Sequence, residues 1–74
     1  MSLPDVSGME TVKALSRAGF KVIRQKGSHV RLEMRTGDII IKLTVPLHRS
    51  LKKGTLRRII SDAGLTVQEF NRLL

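Results

Sequence analysis

Two runs of alternating residues on either side of a tight turn constrain the fold of this chain most strongly. Val30, Leu32 and Met34 alternate with polar residues, and every other position of residues 39–45 is apolar. Because successive side chains of a strand point to opposite faces, each run predicts a strand with one apolar face. Residues 36–38 between the runs are Thr-Gly-Asp, a combination of turn formers. The sequence therefore predicts an antiparallel hairpin whose apolar face must be covered.

A further strand before this hairpin completes a predicted three-stranded meander. Residues 20–25 are predicted as the first strand, with Phe20 and Val22 on one face and Lys21 and Ile23 on the other. Residues 26–28 are predicted as the turn into the second strand, which runs from about residue 29 to residue 35. Pro46 closes the third strand because proline cannot donate to a ladder.

Helices are predicted on both sides of the strands. Capping boxes, in which Ser or Thr precedes Glu by three residues, occur at Ser7–Glu10 and at Thr66–Glu69. The first opens a helix that follows a short arm over residues 1–6, and the second opens the last helix. Apolar residues at helical spacing predict another helix between residue 53 and Gly64. The order α-β-β-β-α-α predicts an α+β fold, a three-stranded antiparallel sheet with helices packed on one face. Double-stranded-RNA-binding domains share this layout.

The charge balance indicates a polyanionic partner. Fourteen Lys and Arg face six Asp and Glu, which gives a formal net charge of +8. Nucleic acid is the simplest partner for such an excess, and a solvated surface kept soluble by charge is the alternative. With two Phe and no Trp or Tyr, the chain lacks aromatic platforms for stacking bases. The chain is therefore expected to contact the phosphates of nucleic acid and to recognise the shape of its backbone.

Size and composition exclude several other classes of protein. The 74 residues suffice for one small domain, residues 1–74, without a large substrate cavity. The absence of cysteine excludes disulfides and thiolate zinc sites and fits a reducing cytoplasm. Neither the two histidines nor the six carboxylates show metal-ligand spacing, so no metal or other cofactor is expected. No apolar run approaches the roughly 20 residues of a membrane span, and the N-terminus does not resemble a signal peptide.

The stretch from Lys26 to His29 carries the candidate chemistry. His29 lies on the polar face of the second strand together with Arg31, and histidine is the side chain best suited to proton transfer near neutral pH. RNA cleavage needs a base for the ribose 2′-hydroxyl, an acid for the leaving oxygen and positive charge for the phosphorane. Taken alone, this spacing is also compatible with a surface histidine that has no catalytic role.

Two further basic positions remain open from the residues alone. His48 could be the acid partner of His29 or could orient the loop before the next helix. Lys52 and Lys53 lie near the start of that helix, where backbone N–H groups favour anions. This position could bind phosphate, or it could be a solvated run of charge.

Several segments in order resemble one known family. They are Gly19-Phe20, Gly27-Ser28-His29, Val45-Pro46-Leu47-His48, Lys53-Gly54-Thr55-Leu56-Arg57-Arg58-Ile59-Ile60 and Ala63-Gly64-Leu65. This pattern is similar to that of the HicA toxins, which are YcfA-like messenger-RNA interferases. The resemblance implies a double-stranded-RNA-binding-domain-like fold and metal-free RNA cleavage by the histidine of the Gly-Ser-His motif, here His29. It also implies neutralisation by an antitoxin, HicB, usually encoded beside the toxin.

Together these observations predict a cytoplasmic endoribonuclease toxin of a type II toxin–antitoxin system, which inhibits translation and growth. In this interpretation His29 is the general acid/base, and Gly27 and Ser28 shape the turn that presents it. RNA contacts are predicted at Lys26, Ser28, Arg31 and Lys53, and the partners are messenger RNA and a HicB-like antitoxin. Two alternatives are a non-catalytic double-stranded-RNA-binding module and a cationic protein that binds only a protein partner.

Overall fold

The computed structural model describes residues 2–74, so the first residue of the predicted arm, Met1, lies outside the described residues. The elements are helix α1 (Gly8–Arg17), strands β1 (Lys21–Lys26), β2 (His29–Thr36) and β3 (Ile39–Pro46), and helices α2 (Lys53–Asp62) and α3 (Val67–Leu73). The strands form one antiparallel sheet in the order β1-β2-β3. The predicted α+β fold and element order are confirmed.

The core lies between one face of the sheet and the helices. Leu15, Leu32, Val45, Leu56 and Phe70 are fully buried there, so α1, β2, β3, α2 and α3 each contribute a core side chain. Burying such a side chain stabilises the fold by about 1.5–3 kcal/mol. The opposite face of the sheet, here termed the open face, is exposed at His29 and Arg31, as the alternation predicts.

The hairpin register determines which residues meet across the open face. In β2 and β3, Val30 pairs with Val45 and Leu32 with Leu43 on the core face. The intervening pairs lie on the open face and are His29 with Pro46, Arg31 with Thr44, Glu33 with Lys42 and Arg35 with Ile40. β3 ends at Pro46, as predicted.

The first strand differs from its prediction at both ends and in its middle. β1 begins at Lys21, while Phe20 precedes the strand and is buried in the core. Lys26 is the last residue of β1 and pairs with His29, so it does not belong to the turn. The register shifts between Val22 and Arg24, which makes Ile23 the extra residue of a β-bulge. Lys21 and Ile23 still share one face, as predicted, and simple alternation fails only from Arg24 onward.

The N-terminal arm is held against the loop that joins β3 to α2. The amide of Leu51 donates to the carbonyl of Val6 at 2.9 Å, and the amide of Gly8 donates to the carbonyl of His48, also at 2.9 Å. Val6 is buried in the core. A Cβ atom on Gly8 would overlap the carbonyl oxygen of Pro46, so this close approach of α1 to the end of β3 requires glycine.

Candidate active site

His29 is the first residue of β2 and follows a turn that is held from two sides. Gly27 has φ +60°, a left-handed conformation that favours glycine. The side-chain amide of Gln25 donates to the carbonyl of Gly27 at 3.1 Å. The amide of Leu47 donates to the carbonyl of Ser28 at 2.6 Å. These bonds fix the backbone on which the exposed imidazole of His29 is mounted.

A small depression on the open face surrounds this imidazole. It encloses about 150 Å³ and is lined by Arg24, Lys26, His29, Arg31 and Thr44, here termed the His29 patch. All five side chains are exposed. None of these lining residues is acidic, so the patch combines one imidazole with three cationic side chains and a hydroxyl.

The surrounding open face is also strongly basic. The basic side chains of this face are Lys21, Arg24, Lys26, Arg31, Arg35 and Lys42. Its acidic side chain is that of Glu33, which lies opposite Lys21 and Lys42 in the strand register. The ion pairs of the described residues, Lys53–Asp5 and Arg58–Asp62, lie on the arm and on α2. Much of the net charge is thus concentrated on one exposed surface, where it attracts a polyanion.

Two of the predicted RNA contacts, Lys26 and Arg31, belong to the His29 patch, and Ser28 adjoins it in the turn. Lys53 lies elsewhere. Its ammonium donates to the carbonyls of Leu3 at 3.1 Å and Pro4 at 3.0 Å, and to Oδ1 of Asp5 at 2.6 Å. An ammonium has three donors, so an RNA contact from Lys53, which stays a prediction, requires release of the arm.

His48 lies at the same end of the sheet as His29. It directly follows Leu47, whose amide binds the carbonyl of Ser28, and its own carbonyl accepts the amide of Gly8. Its side chain is exposed. The fold thus brings the two histidines of the chain to neighbouring backbone segments.

Three carboxyl groups have lowered pKa values, and none lies in the His29 patch. The hydrogen bond from Lys53 and its positive charge lower the pKa of Asp5. Hydrogen bonds from the backbone and side chain of Ser7 lower the pKa of Glu10, and those of Thr66 do the same for Glu69. These groups stabilise the arm and the helix starts, as the capping boxes predict.

A comparison with protein families then identifies the chain. The family model described as the HicA toxin of bacterial toxin–antitoxin systems matches residues 8–65. The chain belongs to the HicA toxin family. The match extends from the start of α1 to the residue before the last capping box, and it includes both histidines. The family resemblance predicted from the motifs is thereby confirmed, and it indicates a toxin with a toxin–antitoxin partner. No curated protein matches the chain.

Two members of the His29 patch in this HicA-family chain were not among the predicted site residues. Arg24 enters the patch because the bulge at Ile23 shifts the end of β1, and the local sequence pattern contains no signal for that shift. Thr44 lies opposite Arg31, and counting outward from the Thr36–Ile39 pair at the turn would have found it. The same counting would have placed Pro46 beside His29 and His48 close behind it.

Two searches of residues 2–74 of this HicA-family chain bear on other kinds of site. No group of three or more His, Cys, Asp or Glu within that range is arranged to hold a metal ion. No helix described in that range is long and apolar enough to cross a membrane.

Proposed function

We propose that this HicA-family chain is an endoribonuclease that cleaves messenger RNA without a metal ion, acting in the cytoplasm as the toxin of a type II pair. The observation that carries the proposal is that His29 lines one depression together with three exposed cationic side chains. Its antitoxin is proposed to be HicB-like. Cleavage of messenger RNA would inhibit translation and arrest growth.

The reaction follows from the groups in the His29 patch. The imidazole of His29 takes the proton of a ribose 2′-hydroxyl. The 2′-oxygen then attacks the adjacent phosphorus, and the bond from phosphorus to the 5′-oxygen breaks. The products are a 2′,3′-cyclic phosphate and a 5′-hydroxyl, which receives a proton from the imidazolium or from a second acid. His48 stays the candidate for that second acid.

The cationic neighbours of His29 have a separate task. As the 2′-oxygen attacks, negative charge accumulates on the non-bridging oxygens of the phosphorane. Arg24 and Arg31 are paired across β1 and β2 and lie in the same patch as His29, where guanidinium groups can bind these oxygens. Lys26, which is paired directly with His29, can bind the neighbouring phosphate. The hydroxyl of Ser28 is proposed as a further RNA contact at the turn.

Purified chain and short labelled RNAs test this proposal in buffer that contains EDTA. We expect wild-type protein to produce fragments with cyclic phosphate ends, and His29→Ala to produce them at least about 10²-fold more slowly. RNA with a single 2′-deoxyribose at the cleavage position should stay intact, because the attacking hydroxyl is missing. Cleavage that needs an added divalent ion, or that proceeds at the wild-type rate in His29→Ala, would overturn the mechanism.

The fold also favours a second candidate function, a non-catalytic double-stranded-RNA-binding module, because the element order matches that class. The same preparations distinguish the two functions. A non-catalytic module would bind duplex RNA and leave every RNA intact, and His29→Ala would behave as the wild type does.

A further inference from the structure

Aliphatic side chains are exposed on the sheet outside the His29 patch, toward the end where the turn joins β2 to β3. Ile23 is 54% exposed and Ile40 is 41% exposed, and both line a depression of about 330 Å³ together with Met34. These three residues are termed the apolar end. Val22 and Ile39, which are 51% and 65% exposed, adjoin them along the chain. Aliphatic residues that are exposed together in one depression favour a role in binding, whereas single exposed aliphatic residues are ordinary.

The β-bulge leaves Ile23 unpaired at the edge of this depression. As the extra residue between Val22 and Arg24, Ile23 has no partner in the register of β1 with β2. Bulges of edge strands redirect a side chain and interrupt pairing. Here the unpaired Ile23 lines the same depression as Lys21 of its own strand and Ile40 of β3. The apolar end is therefore built from both edge strands of the sheet and from β2 between them.

The charges around the depression restrict what can occupy it. Its lining also includes the basic side chains of Lys21 and Arg35 and the acidic side chain of Glu33. A second copy of this chain would bring another +8 charge and would place basic residues against basic residues. RNA is also a poor occupant, because aliphatic side chains offer no platform for stacking bases. A protein segment with an apolar anchor beside carboxylates fits both features.

We propose that the antitoxin docks on the apolar end, where it inserts an apolar side chain between Ile23 and Ile40 and directs carboxylates at Lys21 and Arg35. This inference rests on the proposed function, since it assumes a toxin that a protein partner neutralises. Buried aliphatic contacts at the centre of the interface supply the affinity, and the flanking charges supply orientation and rapid association.

The surface that an antitoxin docked in this way would cover extends to the candidate active site. His29 and Arg35 are separated by six positions of β2, which is about 20 Å at roughly 3.3 Å per residue. An interface of standard size covers about 800 Å² of each partner, which corresponds to a patch roughly 30 Å across. An antitoxin anchored at the apolar end therefore reaches the His29 patch and excludes RNA from it.

Titration with the purified product of the neighbouring gene, taken as the HicB-like antitoxin of the proposed pair, tests the proposal. We expect Ile23→Asp and Ile40→Asp each to weaken the Kd at least about 30-fold, as for truncation of an anchor residue. Ile40→Lys should weaken it less than Ile40→Asp, because the partner surface is acidic. Met9→Asp is the matched control, since Met9 is 48% exposed on α1 and does not line the depression. This control should bind as the wild type does.

Every other outcome overturns the proposal. Wild-type affinity in both Asp variants, equal weakening by Met9→Asp, or no binding of the antitoxin by the wild type would each do so. Self-association of the wild type that Ile40→Asp abolishes would assign the apolar end to a second copy. An RNA affinity that falls in Ile40→Asp as far as in Arg31→Ala would assign it to RNA.

The two proposals can fail independently. Circular dichroism and thermal melting show whether each variant is folded. The uncharged variants Ile23→Ser and Ile40→Ser should also weaken antitoxin binding, and they should still cleave RNA because neither residue lines the His29 patch and the charge of the open face is unchanged. Loss of antitoxin binding with cleavage retained supports the inference. Absence of cleavage in the wild type would sink the proposed function and leave the binding result unaffected.

Discussion

At the scale of single residues, His29 combines an exposed side chain with a firmly held backbone. We expect His29→Ala to slow RNA cleavage by about 10²–10⁴-fold, the usual contribution of a general acid or base. The free energy of unfolding should change by at most about 0.5 kcal/mol, because an exposed side chain makes no core contact. Cleavage assays and urea denaturation of the same preparations measure both quantities. Activity lost in parallel with stability would indicate a structural role.

His48→Ala is the control for this prediction. With His29 as the sole histidine of the mechanism, we expect His48→Ala to keep most of the activity and the wild-type fold. If His48→Ala is folded and as inactive as His29→Ala, a mechanism with two histidines replaces the present one. The proximity of Leu47 to Ser28 makes that outcome chemically reasonable.

At the scale of structural elements, Lys53 connects α2 to the N-terminal arm. Because its ammonium donates to three acceptors of the arm, we expect Lys53→Ala to lower the Tm and to leave the salt dependence of RNA binding unchanged. Lys26→Ala should leave the Tm unchanged. It should reduce the slope of log K for RNA binding against log salt concentration by about 0.7, the value for one lost phosphate contact on a single strand. Calorimetry and RNA titrations at several salt concentrations measure both. A reduced slope of log K against log salt concentration for Lys53→Ala would instead confirm the predicted RNA contact of Lys53.

The helix starts have their own pH dependence. Backbone hydrogen bonds lower the pKa values of Glu10 and Glu69 below their unfolded values. A carboxyl group whose pKa is lowered by folding stabilises the fold fully when the pH is above the pKa of that group in the unfolded chain. This contribution is lost as the pH falls through the pKa of the group in the folded chain. We expect the Tm advantage of the wild type over the double variant Glu10→Gln, Glu69→Gln to shrink as the pH falls from 7 to about 3. An advantage independent of pH would contradict this assignment.

At the scale of the whole molecule, the proposed binding of RNA depends on the net charge of +8 and on its concentration on the open face. We expect the affinity for RNA to fall steeply between dilute and physiological salt, with a slope of roughly −0.7 in log K for each phosphate neutralised on a single strand. Fluorescence titrations of His29→Ala, which leaves RNA intact, measure this slope. An affinity insensitive to salt would show that cationic contacts do not dominate binding.

The sequence by itself determined the features that depend on neighbours along the chain. The alternation through residues 30–45 specified the hairpin and the exposure of His29, and the two capping boxes specified the starts of α1 and α3. Only the tertiary structure decided the bulge at Ile23, the entry of Arg24 into the His29 patch and the contact of Lys53 with the arm. The physical reason is the separation along the chain of the groups that interact. Alternation and capping follow from groups within a few residues of each other, whereas a bulge depends on the packing of the partner strand. The donors of Lys53 meet acceptors nearly fifty residues away, which no local pattern encodes.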